Sequence, residues 1–146
     1  MDVFSIASFI ATLLNPLMEV FKKMSKKQPD FKITNFYITT DESNKPILVC
    51  YVMKLTKSDF TLPIGKMNLG FWNAFKLELI IPKDRWIRIR ERYQPDRYVY
   101  FGYRPLELLK PESTTGLLIF SLPVQPIKGK TKFQIFNDKT LITLNY

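Results

Sequence analysis

Near its C-terminal end this 146-residue chain alternates apolar and polar side chains on both sides of an Asn-Asp break. Phe133 and Ile135 alternate with Lys132, Gln134 and Phe136; after Asn137-Asp138, Ile142 and Leu144 alternate with Thr143 and Asn145. A period of two sends successive side chains to opposite faces of an extended backbone. Asx residues tolerate the turn conformations between such runs, so the stretch predicts two paired, half-buried strands. Just before it, the polar loop Lys110-Pro-Glu-Ser-Thr-Thr-Gly116 feeds the apolar run Thr115-Gly-Leu-Leu-Ile-Phe-Ser-Leu-Pro123. Pro123 ends that run because proline cannot donate to a ladder.

The rest of the chain after residue 30 has the same texture and no helical period. Phe31-Lys-Ile-Thr-Asn-Phe-Tyr-Ile-Thr39 reads as a first strand and Thr40-Asp-Glu-Ser-Asn-Lys-Pro46 as a turn. Ile47-Leu-Val-Cys-Tyr-Val-Met-Lys-Leu55 is apolar nearly throughout, as a strand covered on both faces would be. Lys57-Ser-Asp59 and Pro63-Ile-Gly65 read as breaks. Phe75, Leu77 and Leu79 then alternate inward, and Pro82-Lys-Asp84 closes that run. Short strands with turn signals every ten or so residues indicate a β-sandwich or barrel.

Composition narrows the chemistry. Hydrophobic residues at 46% and aromatics at 14% favour a folded body over disorder. Histidine is absent, which removes the commonest general base and a frequent metal ligand. The one cysteine, Cys50, has no partner for an intrachain disulfide. It reads as buried filler in a strand and suits a reducing compartment. Acidic residues lie in turns or among arginines, where their carboxyls stay ionised rather than poised for proton transfer. The turn Thr40-Asp-Glu-Ser-Asn44 lacks the spacing of a calcium loop. The expectation is a non-enzymatic protein with no catalytic residues, no metal site and no cofactor.

Residues 3 to 21 are largely apolar. Their polar members, Ser5, Ser8, Thr12, Asn15 and Glu19, fall three or four apart and continue to Lys22, forming one narrow helical stripe. A secretory signal is a poor reading, since no basic region precedes the apolar run. A transmembrane helix is marginal, since Asn15, Pro16 and Glu19 interrupt its second half. An amphipathic helix lying on a membrane, packed on a partner or self-associating is the third reading. Its contact residues are Phe4, Phe9, Ile10, Leu13, Leu14, Leu17, Phe21, Lys22 and Lys23. The lysines of Lys22 to Lys27 would keep the body on the cytoplasmic side. Two parts follow: an N-terminal helix and basic linker over 1–30, and a β-sandwich domain over 31–146.

The most distinctive stretch is Lys83 to Arg104, with seven basic side chains against three acidic ones in a chain of net charge +9. If residues 86 to 93 form a strand, Arg88, Arg90 and Arg92 share a face with Trp86 while Ile87 and Ile89 take the other. With Arg97, Tyr98, Tyr100 and Tyr103, that face is a candidate for an anionic or acidic protein partner. Phosphate contacts with base stacking make nucleic acid the alternative. The bland reading is a solvated outer face with snorkelling arginines.

The order of Gly116, Ile119, Phe120, Leu122 and Pro123, followed by a terminal hairpin, resembles the last strands of bacterial immunoglobulin-like domains on membrane-anchored proteins and lipoproteins. The likeness covers about the last forty residues. It implies an immunoglobulin-like antiparallel β-sandwich that acts as a binding or accessory module. The chain has no lipobox cysteine near its start. The expected protein is thus a mainly β binding or assembly module, carried behind one N-terminal hydrophobic α-helix and tethered by it to a membrane or larger complex.

Overall fold

The computed structural model describes residues 29–57 and 60–146. Along these residues run β1 (Phe31–Thr40), β2 (Pro46–Lys54), β3 (Ile64–Leu69), β4 (Asn73–Leu79), β5 (Trp86–Arg90) and β6 (Tyr98–Gly102). A short 3-10 helix, Pro105–Leu109, precedes β7 (Thr115–Ser121), β8 (Thr131–Phe136) and β9 (Leu141–Asn145). Seven strands make one sheet in the order β1-β2-β7-β4-β3-β8-β9, and β5 and β6 form a separate ribbon. Every pairing is antiparallel.

The large sheet curls until its two ends nearly meet. Asp30, just ahead of edge strand β1, donates its backbone N–H to Thr140 Oγ1 at 2.7 Å, beside edge strand β9. Its carboxylate accepts from Asn137 Nδ2 at 2.9 Å. Curling brings the inward residues of all seven strands into one core that includes Leu48, Cys50, Met67, Leu77, Leu118, Phe120, Phe133 and Ile135. Phe31 seals one end edge-to-face against Phe60, with ring centroids 5.2 Å apart.

Strand β1 shows how the pattern is obeyed with a correction. Phe31 and Ile33 are inward, and so are Phe36 and Ile38, a three-residue step that strict alternation forbids. The pairing with β2 slips between Ile33 and Asn35, and this bulge restores the inward face. Strand β2 is apolar nearly throughout because both faces of its first half, Ile47 to Cys50, are covered. Leu48, Cys50 and Val52 enter the core, while Ile47 and Val49 lie under the ribbon with Ile89, Tyr103 and Ile119.

This arrangement corrects the expected immunoglobulin-like sandwich. The core sits inside the curl of a single sheet rather than between two stacked ones. Among the described residues only the five-residue strands β5 and β6 remain outside that sheet, and they cover just the outer side of its β1-β2-β7 part. The mainly β character stands. The described residues contain no α-helix, only the 3-10 turn. The helix read from residues 1–30, with Phe4, Phe9, Ile10, Leu13, Leu14, Leu17, Phe21, Lys22 and Lys23, lies outside the described residues up to position 28. Asp30, read as the end of a linker, is instead buried and part of the closure. Among the described residues no helix is long and apolar enough to cross a membrane.

Candidate anionic-partner surface

The basic segment folds as the β5–β6 ribbon, and its alternation decides which side chains reach solvent. Ile89 is fully buried against Ile47, Val49 and Ile119, with Ile87, Val99 and Phe101 packed around it. The opposite face is a ladder of cross-strand pairs: Trp86 facing Gly102, Arg88 facing Tyr100, and Arg90 facing Tyr98. Trp86 and Tyr100 remain 57% and 64% exposed, so aromatic surface stays open to a partner.

The arginines on this face are already held in place. The Arg88 guanidinium lies 5.0 Å from the Tyr98 ring centroid and 5.5 Å from that of Tyr100. Arg90 lies 5.2 Å from the Tyr98 ring and donates from Nη2 to the Tyr98 hydroxyl at 2.9 Å. A planar guanidinium stacks well on an aromatic face and keeps its outward N–H groups free for a carboxylate or phosphate. Arg88 also makes a 3.5 Å contact from Nη1 to the Glu42 carboxylate, with both side chains well exposed.

Two contacts, one buried and one part-buried, lock the ribbon to the sheet. Strand β4 pairs with β7 only through Glu78–Ser121 and Leu79–Phe120, and Ile80 N–H then donates to Ile119 C=O at 2.8 Å. Where that ladder stops, the Ile119 N–H donates to the Tyr103 hydroxyl at 2.7 Å. Tyr103 is buried, and burial raises its phenol well above the ordinary value. It is a strut rather than a stacking surface, which corrects its place among the exposed aromatics. On the other side, Thr39 donates to the backbone carbonyl of Arg90 at 2.9 Å.

The expected strand over 86–93 is also shortened. Strand β5 stops at Arg90, and a turn closed by Glu91 N–H to Arg97 C=O at 2.8 Å carries the chain into β6. Arg92 leaves the ladder and stacks between Tyr37 and Tyr93, 5.6 and 5.4 Å from their centroids. Arg97 pairs loosely with Glu91 at 3.8 Å. The structure thus brings together Trp86, Arg88, Arg90, Tyr98 and Tyr100, and sets Arg92 and Arg97 at the rim.

Beside the ribbon, Trp86, Gly102, Arg104, Glu107 and Leu117 border a recess of about 420 Å³. At its mouth Arg104 donates to Glu107 at 2.6 Å, and this bond holds the Glu107 carboxyl below its usual range. A carboxylate held so is not tuned for proton transfer near neutrality. The Asp41 carboxylate is engaged in its own turn, accepting from the N–H groups of Ser43 and Lys45. Among the described residues no three His, Cys, Asp or Glu side chains converge on a metal-sized site. Cys50 is fully buried, and burial pushes its thiol up to about 12.

Two side chains that the strand pattern does not single out stand in full solvent. Phe71 and Trp72, in the β3–β4 turn, are 100% and 94% exposed. The signal for them is a Gly-Phe-Trp-Asn tip between two runs whose lysines face outward. Set against protein-family models, curated proteins and solved structures, the chain matches none.

Proposed function

We propose that the chain is a non-enzymatic binding module whose outer β5–β6 face docks an acidic protein surface. The observation that carries this reading is the stacked ladder of Arg88 and Arg90 on Tyr98 and Tyr100 with Trp86 beside it. Arginine, tyrosine and tryptophan dominate the energetics of protein interfaces. Arginines already held on tyrosine rings lose less freedom on binding than free ones do. The apolar stretch 3–21 would tether the module to a membrane or larger complex, with the lysines that follow it keeping the body on the cytoplasmic side.

A direct test is fluorescence anisotropy with a labelled Glu-rich peptide carrying a few aromatic residues, measured across a salt series. The reading expects affinity that falls with salt and drops at least about tenfold in Arg88→Glu with Arg90→Glu, since rim and ladder charges govern such encounters. A labelled single-stranded oligonucleotide serves as the second probe. Tighter binding to it, with a steep salt slope that the same variant abolishes, would replace the acidic partner with nucleic acid. Peptide binding indifferent to the two arginines would remove the surface from consideration.

A further inference from the structure

The β3–β4 hairpin carries a second feature, independent of the ribbon. The last pair of its ladder is Leu69–Asn73, so Gly70, Phe71 and Trp72 alone make the loop. Gly70 sits at φ +65°, where a side chain would be strained, and this left-handed residue turns the chain so that two aromatic rings project from its tip. Nothing in the described residues covers them. An isolated exposed apolar residue needs no explanation, but two adjacent aromatics in full solvent on a three-residue turn do.

The surroundings of the tip are uniformly basic. Gly70 N–H donates to the Lys130 carbonyl at 3.3 Å, which binds the tip to the turn before β8. Lys128, Lys130 and Lys132 are all exposed there, and Ile127 beside them is 53% exposed. Lys66 and Lys76 face each other directly across β3 and β4, both in solvent. Like charges in that position destabilise a sheet. Residues 64–77 and 122–136 together hold these five lysines and no aspartate or glutamate. Lys130 and Lys132 also line an open recess of about 740 Å³ behind Phe71.

We propose that this end of the molecule docks on a bilayer surface rich in anionic lipid. Phe71 and Trp72 enter the boundary between headgroups and acyl chains, and the lysines meet the lipid phosphates and carboxylates. A protruding tip suits a soft planar boundary, and tryptophan is at home at that depth because its ring is apolar and its N–H polar. The lysine cluster matches the negative potential of such a leaflet. This surface belongs to the β4-β3-β8 side of the sheet, whereas the ribbon covers the β1-β2-β7 part, so one need not obstruct the other.

The test uses the full chain with Trp86→Phe, which leaves Trp72 as the only tryptophan. It is mixed with vesicles of phosphatidylcholine alone or with phosphatidylserine, with and without brominated acyl chains. The proposal expects a blue shift and bromine quenching of Trp72 on the serine-containing vesicles, and much less on the neutral ones. Phe71→Ser should weaken partition about tenfold, the expected loss for one buried aromatic. Lys128→Glu with Lys130→Glu should weaken it on the anionic vesicles only. Sedimentation with vesicles while Trp72 stays water-like and unquenched would overturn the proposal, since another part of the chain would then be the anchor. No sedimentation at all would overturn it equally. So would a blue shift that follows protein concentration without lipid, which would place the tip in a second copy of the chain.

Discussion

At Gly116 a single missing methyl decides whether the 3-10 turn can close over the sheet. A Cβ built there would stand 2.5 Å from Leu108 Cδ2 and 2.9 Å from its Cγ. Gly116→Val is therefore expected to destabilise the fold by about 1–3 kcal/mol through overpacking. Leu108→Ala in the same background should recover part of that loss, as read by urea unfolding. Equal stability of Gly116→Val and the parent would contradict the contact. Gly65 is a similar case, its Cβ position lying 3.0 Å from both Leu77 Cβ and Phe120 Cδ1. Read in sequence, Pro63-Ile-Gly65 looks like a break; in the fold it opens β3, because only glycine lets the neighbouring side chains approach so closely. Cys50 supplies a pH prediction. Burial raises its thiol from the ordinary 9.0 to about 12, and burial raises the Tyr37 and Tyr103 phenols as well. The folded state thus keeps protons that the unfolded chain releases, so stability is intact below about pH 9 and falls as pH rises toward 12. Urea midpoints measured across that range should decline, and Cys50→Ala should flatten the decline. A midpoint unchanged to pH 11 would contradict the buried thiol.

At the scale of elements, the ribbon depends on a few apolar residues beneath a polar exterior. Ile89 is wholly buried with Ile47, Val49, Tyr103 and Ile119, so Ile89→Ala should cost about 2–4 kcal/mol. Arg88→Ala, on the exposed face, should change stability by less than about 0.5 kcal/mol. Thermal unfolding of the two variants checks the contrast, and comparable losses would mean that the ribbon is not docked as described. The two-residue period made this division of faces legible: Ile87 and Ile89 inward, Trp86, Arg88 and Arg90 outward. It also placed Phe75, Leu77 and Leu79 on the core face and the Asn137 turn between β8 and β9. Periodicity does not mark where a strand stops. Arg92 continues the alternation on paper, yet the Glu91–Arg97 bond turns the chain first. The bulge in β1 is legible only once the three-residue step from Ile33 to Phe36 is noticed.

For the whole molecule, what sequence could not supply is the pairing. Alternation tells which face a side chain takes but not which strand lies beside it. A single curled sheet and two stacked sheets therefore leave the same pattern. The closing contacts are distant in the chain: Asp30 meets Thr140 across 110 positions. Nothing in the local composition of either residue points to the other. The sheet order also separates β7 from the hairpin that follows it, with β4 and β3 between them. The proposed surface is more legible than the topology because its charges and rings lie close together in sequence. The exposed Phe71 and Trp72 are not, because an aromatic pair between two strands looks like core until its burial is known.

The central claim is that Arg88 and Arg90, held on Tyr98 and Tyr100, form the surface that meets an acidic partner. Side-chain NMR of the arginine Nε–H groups during titration with the Glu-rich aromatic peptide tests it most directly. The account predicts that the Arg88 and Arg90 signals move together and saturate, while Arg104, tied to Glu107 across the recess, moves little. Saturating shifts confined to Arg104 or to backbone sites away from the ribbon, with Arg88 and Arg90 unmoved, would contradict it.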